Sequence, residues 1–151
     1  MRVLNARTYQ FRDHVQASDI RYVALSHTWA PEGEVTYQDM MLPSTISLFR
    51  KSPDLLSLSD SFSKILQTCR LAVEAGLEYV WIDTCCIDKS SSAELTETIN
   101  SMFDLYKKAE ICFVYLEDLH PQTSLRDGLK NCRWVTRGEF SASFQPSTDT
   151  T

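Results

Sequence analysis

Three polar clusters in this sequence stand directly behind apolar runs. Ser26-His27-Thr28-Trp29 follows Tyr22-Val23-Ala24-Leu25. Asp83-Thr84-Cys85-Cys86-Ile87-Asp88 follows Tyr79-Val80-Trp81-Ile82. Glu117-Asp118 follows the apolar residues 111–116. The residue types fit several chemistries. His27 suits general acid–base work, because an imidazole titrates near neutral pH. The same histidine would serve equally as a hydrogen-bonding prop for the loop carrying Trp29. Asp83 and Asp88 suit a sugar hydroxyl or a cation, or the capping of the turn that follows them. Cys85 suits a nucleophile activated by His27, or an inert buried thiol. Trp29 and Trp81 suit the walls of a ligand pocket, although Trp81 lies inside a strand and reads as core. Ser26, His27, Trp29, Asp83, Cys85, Cys86 and Asp88 therefore form the candidate pocket or motif, with no single catalytic residue assigned.

These clusters share a site only if the elements before them run side by side. Residues 22–26 have the β-branched and aromatic content of a strand. Phe62, Ile65, Leu66, Cys69, Ala72 and Val73 recur at helical spacing, with Ser59 or Asp60 to cap the start and Gly76 to stop it. Residues 79–83 form a second strand whose near-continuous apolar run predicts burial on both faces. Ser91-Ser92-Ala93-Glu94 fits a capping box. The helix it opens carries Leu95, Ile99, Met102, Phe103 and Tyr106 as a core-facing stripe, and Lys107 and Lys108 in its last turn. Residues 111–116 are the third strand. Residues 30–34 read as a loop, 35–41 as ambiguous, and 43–59 as a long Ser-rich connection with one helical turn.

Strand, helix, strand, helix, strand predicts an α/β fold with a parallel sheet and flanking helices. Three strands are few for an open sheet, so the unit reads as incomplete. In such sheets ligands bind beyond the carboxyl ends of the strands, at a switch in strand order. If the first strand lies between the other two, all three clusters meet on one rim.

Composition narrows the function classes. The 151 residues are 43% hydrophobic and 23% charged, enough to build a core. The net charge of −5 argues against nucleic acid, which demands clustered Lys and Arg. No apolar run approaches a membrane span. Residues 1–7 lack the apolar centre of a secretory leader, which predicts a cytoplasmic protein. The five cysteines, Cys69, Cys85, Cys86, Cys112 and Cys132, contain no C-x-x-C pair. Reduced thiols and no metal site follow. The four glycines form no phosphate-cradling G-x-G-x-x-G loop.

At the same residues the sequence resembles the fungal heterokaryon-incompatibility (HET) domain family. Residues 22–29 resemble its opening motif, and Glu34-Val35-Thr36-Tyr37-Gln38-Asp39 the segment that follows. Lys64-Ile65, Cys69 and Ala72 match the spacing of its first helix. Residues 76–89 are similar to its most diagnostic block, and 90–118 continue it. Arg133-Trp134-Val135-Thr136-Arg137-Gly138 resembles the start of its last block. The resemblance implies a module of fungal non-self recognition and programmed cell death. It also implies a flavodoxin-like sheet distantly similar to TIR domains, some of which cleave NAD while others self-associate as scaffolds.

The implied organisation is a lead-in over residues 1–19, a HET-like domain over 20–138 and a disordered non-family tail over 139–151. The implied partners are proteins or further copies of the chain, bound through a TIR-like domain, with no nucleic acid, no membrane and no cofactor. The alternative is a TIR-like NAD(P)-cleaving hydrolase using the strand-end rim, with NAD as cofactor. The family pattern fades at Gly138-Glu139-Phe140, where a codon stretch containing GTGAGT would mark an intron start. A truncated gene model, and a chain inactive as an enzyme, are the expectations there.

Overall fold

The computed structural model describes residues 1–30, 33–51, 60–119 and 122–136. Its sheet contains β1 (Val3–Asn5), β2 (Phe11–Arg12), β3 (Tyr22–His27), β4 (Tyr79–Ile82) and β5 (Ile111–Tyr115), in the order β2-β1-β4-β3-β5. β3 pairs parallel with both β4 and β5. It is buried along its whole length, as its unbroken apolar run requires of a central strand. The three parallel strands thus stand in the order second, first, third, the order with which flavodoxin-like sheets begin.

The sheet is mixed rather than wholly parallel. β1 runs antiparallel to β4 and joins β2 in a hairpin. The segment expected to be a lead-in therefore supplies two strands. They are only three and two residues long, too short to show an alternating pattern. Their turn has a chemical cause: the Asn5 side-chain oxygen accepts from the amides of Arg7 and Thr8, each at 2.9 Å.

Seven helices surround the sheet among the described residues: α1 (Tyr37–Met41), α2 (Pro43–Lys51), α3 (Asp60–Glu74), α4 (Asp83–Cys86), α5 (Ser92–Lys108), α6 (Leu125–Asn131) and α7 (Arg133–Thr136). The ambiguous stretch before Met41 is α1, opened by a full capping box between Thr36 and Asp39. The expected long connection is in large part the nine-residue α2, which buries Thr45 and Phe49. Its serines masked a helical spacing that needs only those two anchors. Ser59 and the rest of residues 52–59 lie outside the described residues. α3 ends as Gly76 predicts. Gly76 has φ 74°, its amide donates to the Val73 carbonyl, and the Leu77 amide reaches back to the Ala72 carbonyl at 2.8 Å.

α3 and α5 lie on opposite faces of the sheet. The Tyr22 hydroxyl donates to the Leu105 carbonyl of α5, and Tyr106 meets Trp81 edge-on with ring centroids 5.3 Å apart. His27, five residues on and so on the other face, meets Lys64 of α3. The α5 stripe is less buried than its spacing suggests. Leu95, Met102 and Tyr106 pack on the core, whereas Ile99 and Phe103 are 58% and 57% exposed.

Tyr22 sets an alkaline limit on this packing. Burial pushes its phenol from 10.0 up to about 12. An acid whose folded pKa is raised keeps its full stabilising effect below pH 10 and loses it as pH rises toward 12. Unfolding midpoints are thus expected to fall between pH 10 and 12. Tyr22→Phe is expected to flatten part of that fall while costing about 1 kcal/mol at pH 7 for the lost hydrogen bond. Denaturant titrations at pH 7, 10 and 11.5 check both.

Candidate functional site

The parallel register aligns the strand ends. Leu25 pairs with Ile82 and His27 with Tyr115. The chain leaving β4 turns at once into α4, which places Asp83 beside the end of β3. Asp83 takes the Nε2 of His27 at 3.1 Å on one carboxylate oxygen and the indole N–H of Trp29 at 2.9 Å on the other. From the opposite side, Lys64 Nζ lies 3.0 Å from His27 Nδ1. Lys64 also pairs with Glu34 Oε1, which accepts the Ala30 amide at 2.7 Å.

The donors fix the proton positions. An ammonium has three N–H groups and no lone pair. With Lys64 as an ammonium, Nδ1 of His27 accepts from it and Nε2 carries the proton donated to Asp83. The run Trp29, Asp83, His27, Lys64, Glu34 is a continuous chain of polar contacts. The His27 side chain is fully buried, and those of Lys64, Asp83 and Glu34 are 4%, 12% and 12% exposed. Both imidazole nitrogens are engaged, so His27 has no lone pair left for a thiol or a substrate in this arrangement.

The remaining rim candidates separate. Ser26 faces the α5 side, where its hydroxyl accepts the buried Trp134 indole N–H at 2.8 Å. Cys85 and Cys86 lie in α4 and are buried. The Cys86 sulfur accepts the Ile82 amide at 3.4 Å. The Cys85 thiol is held well above its ordinary range, first by its hydrogen bond to Cys86 and then by burial. A thiol so placed is a poor nucleophile. Asp88 caps its own turn: it accepts from the Ser90 hydroxyl at 2.6 Å, the Ser90 amide at 3.0 Å and Gln38 Nε2 at 2.6 Å. The Ser90 hydroxyl leads the causes that hold its carboxyl below the ordinary value. Glu117 and Asp118 hold Arg133 at the start of α7. The pocket expected from seven residues thus resolves into one network containing His27, Trp29 and Asp83, with Ser26, Cys85, Cys86 and Asp88 in structural contacts of their own. Trp81 is core, 1% exposed, and Trp29 is 43% exposed with Lys89 Nζ 3.5 Å above its ring.

Lys64 and Glu34 are the members that reading for chemistry missed. Lys64 carries a faint signal: Ser61, Lys64 and Thr68 repeat at helical spacing along the flank of the apolar stripe, and all three are buried. Glu34 sits in a loop whose partner is thirty residues away, and no local pattern marks it.

Three buried oxygens near these residues have no hydrogen-bond partner among the described residues: Thr28 Oγ1, Glu34 Oε2 and Thr84 Oγ1. A cavity of about 460 Å³ lies elsewhere, between residues 13–18 and α5, with Asp13, Glu94, Glu97 and Asp104 in its wall. Among the described residues no group of three His, Cys, Asp or Glu side chains is placed to hold a metal ion. No helix there is long and apolar enough to cross a membrane.

The family model described as "Heterokaryon incompatibility protein (HET)" matches residues 22–149. The match extends past Gly138 into the segment expected to be a tail, which lies outside the described residues. The chain is similar to "Vegetative incompatibility protein HET-E-1" of Podospora anserina, with 39% identity over 125 residues. Those residues are 78% of this chain and 8% of the relative. No solved structure matches.

Proposed function

The chain belongs to the heterokaryon incompatibility (HET) family, and from that premise we propose that it is a signalling module of non-self recognition and programmed cell death. It works through contacts with protein partners or with its own copies, on a TIR-like scaffold. It acts in the cytoplasm, where its unpaired cysteines stay reduced.

The observation that supports this reading is the closure of the rim. His27 is held on both nitrogens and Cys85 is buried with a raised thiol. Side chains so engaged favour a bracing role at the strand ends. The test has two parts. Inducible expression in a filamentous fungus is expected to lower viability at least tenfold. Purified chain incubated with NAD is expected to release no nicotinamide. Full viability with the chain folded and abundant would overturn the proposal.

A second reading, a TIR-like NAD(P)-cleaving hydrolase, draws support from the unpartnered oxygens of Thr28, Glu34 and Thr84. Buried polar atoms without partners are costly, and a hydroxyl-rich ligand would satisfy them. Nicotinamide release that is lost in Asp83→Asn would replace the first reading with this one.

A further inference from the structure

β5 is the last strand of the sheet, with no strand beyond it among the described residues. The Glu110 amide donates to the Tyr22 carbonyl at 3.0 Å. Backbone direction alternates along a strand, so Cys112 and Val114 also turn their amides toward β3. Ile111, Phe113 and Tyr115 turn theirs to the open edge. Natural edge strands are blunted by lysine, proline or a bulge. Ile111-Cys112-Phe113-Val114-Tyr115 contains no charged residue and no proline. Cys112 and Val114 pair in register with Ala24 and Ser26, which places them on the α5 face. Both are exposed, Val114 by 42%.

We propose that β5 pairs antiparallel with β5 of a second copy, centred on Phe113. Only outward-turned residues can bond across such an edge. The register that overlaps all five residues sets Ile111 opposite Tyr115 and Phe113 opposite Phe113. Charge selects the same direction. Lys107 and Lys108 precede the strand, beside the Arg21–Glu110 pair, and Glu117 and Asp118 follow it, sharing the one cation of Arg133, so the end before the strand is net positive and the end after it net negative. Antiparallel pairing brings the basic end of each copy level with the acidic end of the other, Lys108 toward Asp118. Parallel pairing would set like beside like. On the α5 face, Cys112 of each copy faces Val114 of the other. This pairing deepens the self-association part of the proposed function and rests on that reading.

Sedimentation velocity and a charge exchange across the seam test it. The wild-type mass is expected to rise with concentration from 17.3 kDa toward twice that. Val114→Lys and Cys112→Glu, each folded by circular dichroism, are expected to raise the dimerisation midpoint at least tenfold. An equimolar mixture of the two is expected to recover at least half of that loss, because the introduced ammonium then faces the introduced carboxylate. The two Cys112 side chains lie on a diagonal of roughly 7–8 Å. A short bis-maleimide is therefore expected to link wild-type copies, and Cys112→Ser to abolish the link with the sedimenting mass unchanged. A dimer that ignores both charges and resists the linker would overturn the β5 seam while leaving self-association standing. A 17.3 kDa monomer at every concentration would overturn both.

Discussion

Lys64→Met is expected to destabilise the fold by about 3–5 kcal/mol, the cost of breaking a buried ion pair from one side. Lys64 stands between two acceptors, His27 Nδ1 and Glu34. Methionine fills similar space and packs well in helices, so the loss is electrostatic. It leaves Glu34 and Asp83 as two carboxylates flanking the His27 imidazole without the Lys64 ammonium. A domain with roughly 5–15 kcal/mol in total would lose a large share of its stability. Adding Glu34→Gln is expected to return at least about 1 kcal/mol, because it removes the orphaned charge. The recovery separates this cause from a packing defect, which neutralising Glu34 could not repair. Urea unfolding of the two single variants and the double variant measures the coupling. Equal midpoints for wild type and Lys64→Met would show that the contacts contribute nothing.

The network also shows where the sequence was legible and where it was not. The parallel strands announced themselves because burial on two faces leaves no room for polar residues, as in residues 22–25 and 79–82. α5 began where Ser91 marks it, although the expected box is half made. The Ser91 side chain accepts the Glu94 amide, but Glu94 does not return to Ser91. Its carboxylate takes the Asp88 amide and Arg2 instead. Arg2 in turn ties the N-terminal hairpin to the loop after β4. That contact, like the one between Lys64 and Glu34, joins residues far apart in the chain. Local pattern carries no trace of it.

The candidate site was legible in place and not in role. The rule that sites gather at the carboxyl ends of parallel strands picked out His27 and Asp83, which do meet. It did not reveal that adjacent residues on one strand serve opposite layers. Ser26 anchors Trp134 on one side of the sheet, and His27 reaches α3 on the other. Nor did the apolar character of β5 reveal that it is an edge strand among the described residues. Its side chains alternate between partly buried and exposed, whereas a fully covered strand of the same composition would be buried throughout. The difference depends on which strand comes next, and that is a property of the whole sheet.

The two tryptophans near the rim are expected to behave very differently when removed. Trp81 is 1% exposed and packs edge-on against Tyr106, whose hydroxyl donates to the Leu25 carbonyl. Trp81→Ala removes a large indole from between the sheet and α5, where rigid strands cannot close the gap. The expected loss is about 3–5 kcal/mol, with roughly 2–4 °C of melting temperature for each kcal/mol in a chain of this size. Trp29→Ala takes away the N–H bonded to Asp83 and the ring beneath Lys89. Trp29 is 43% exposed, so water reaches the vacated carboxylate oxygen, and the loss is expected to stay near 1–2 kcal/mol. Tyr106→Leu in the Trp81→Ala background is expected to add less than it does alone, because the two rings share one contact. Thermal melts of wild type and the four variants read these differences directly. Equal losses at the two tryptophans would mean that α5 is not seated on Trp81, and that the layer from which β5 presents its exposed residues is not fixed as described.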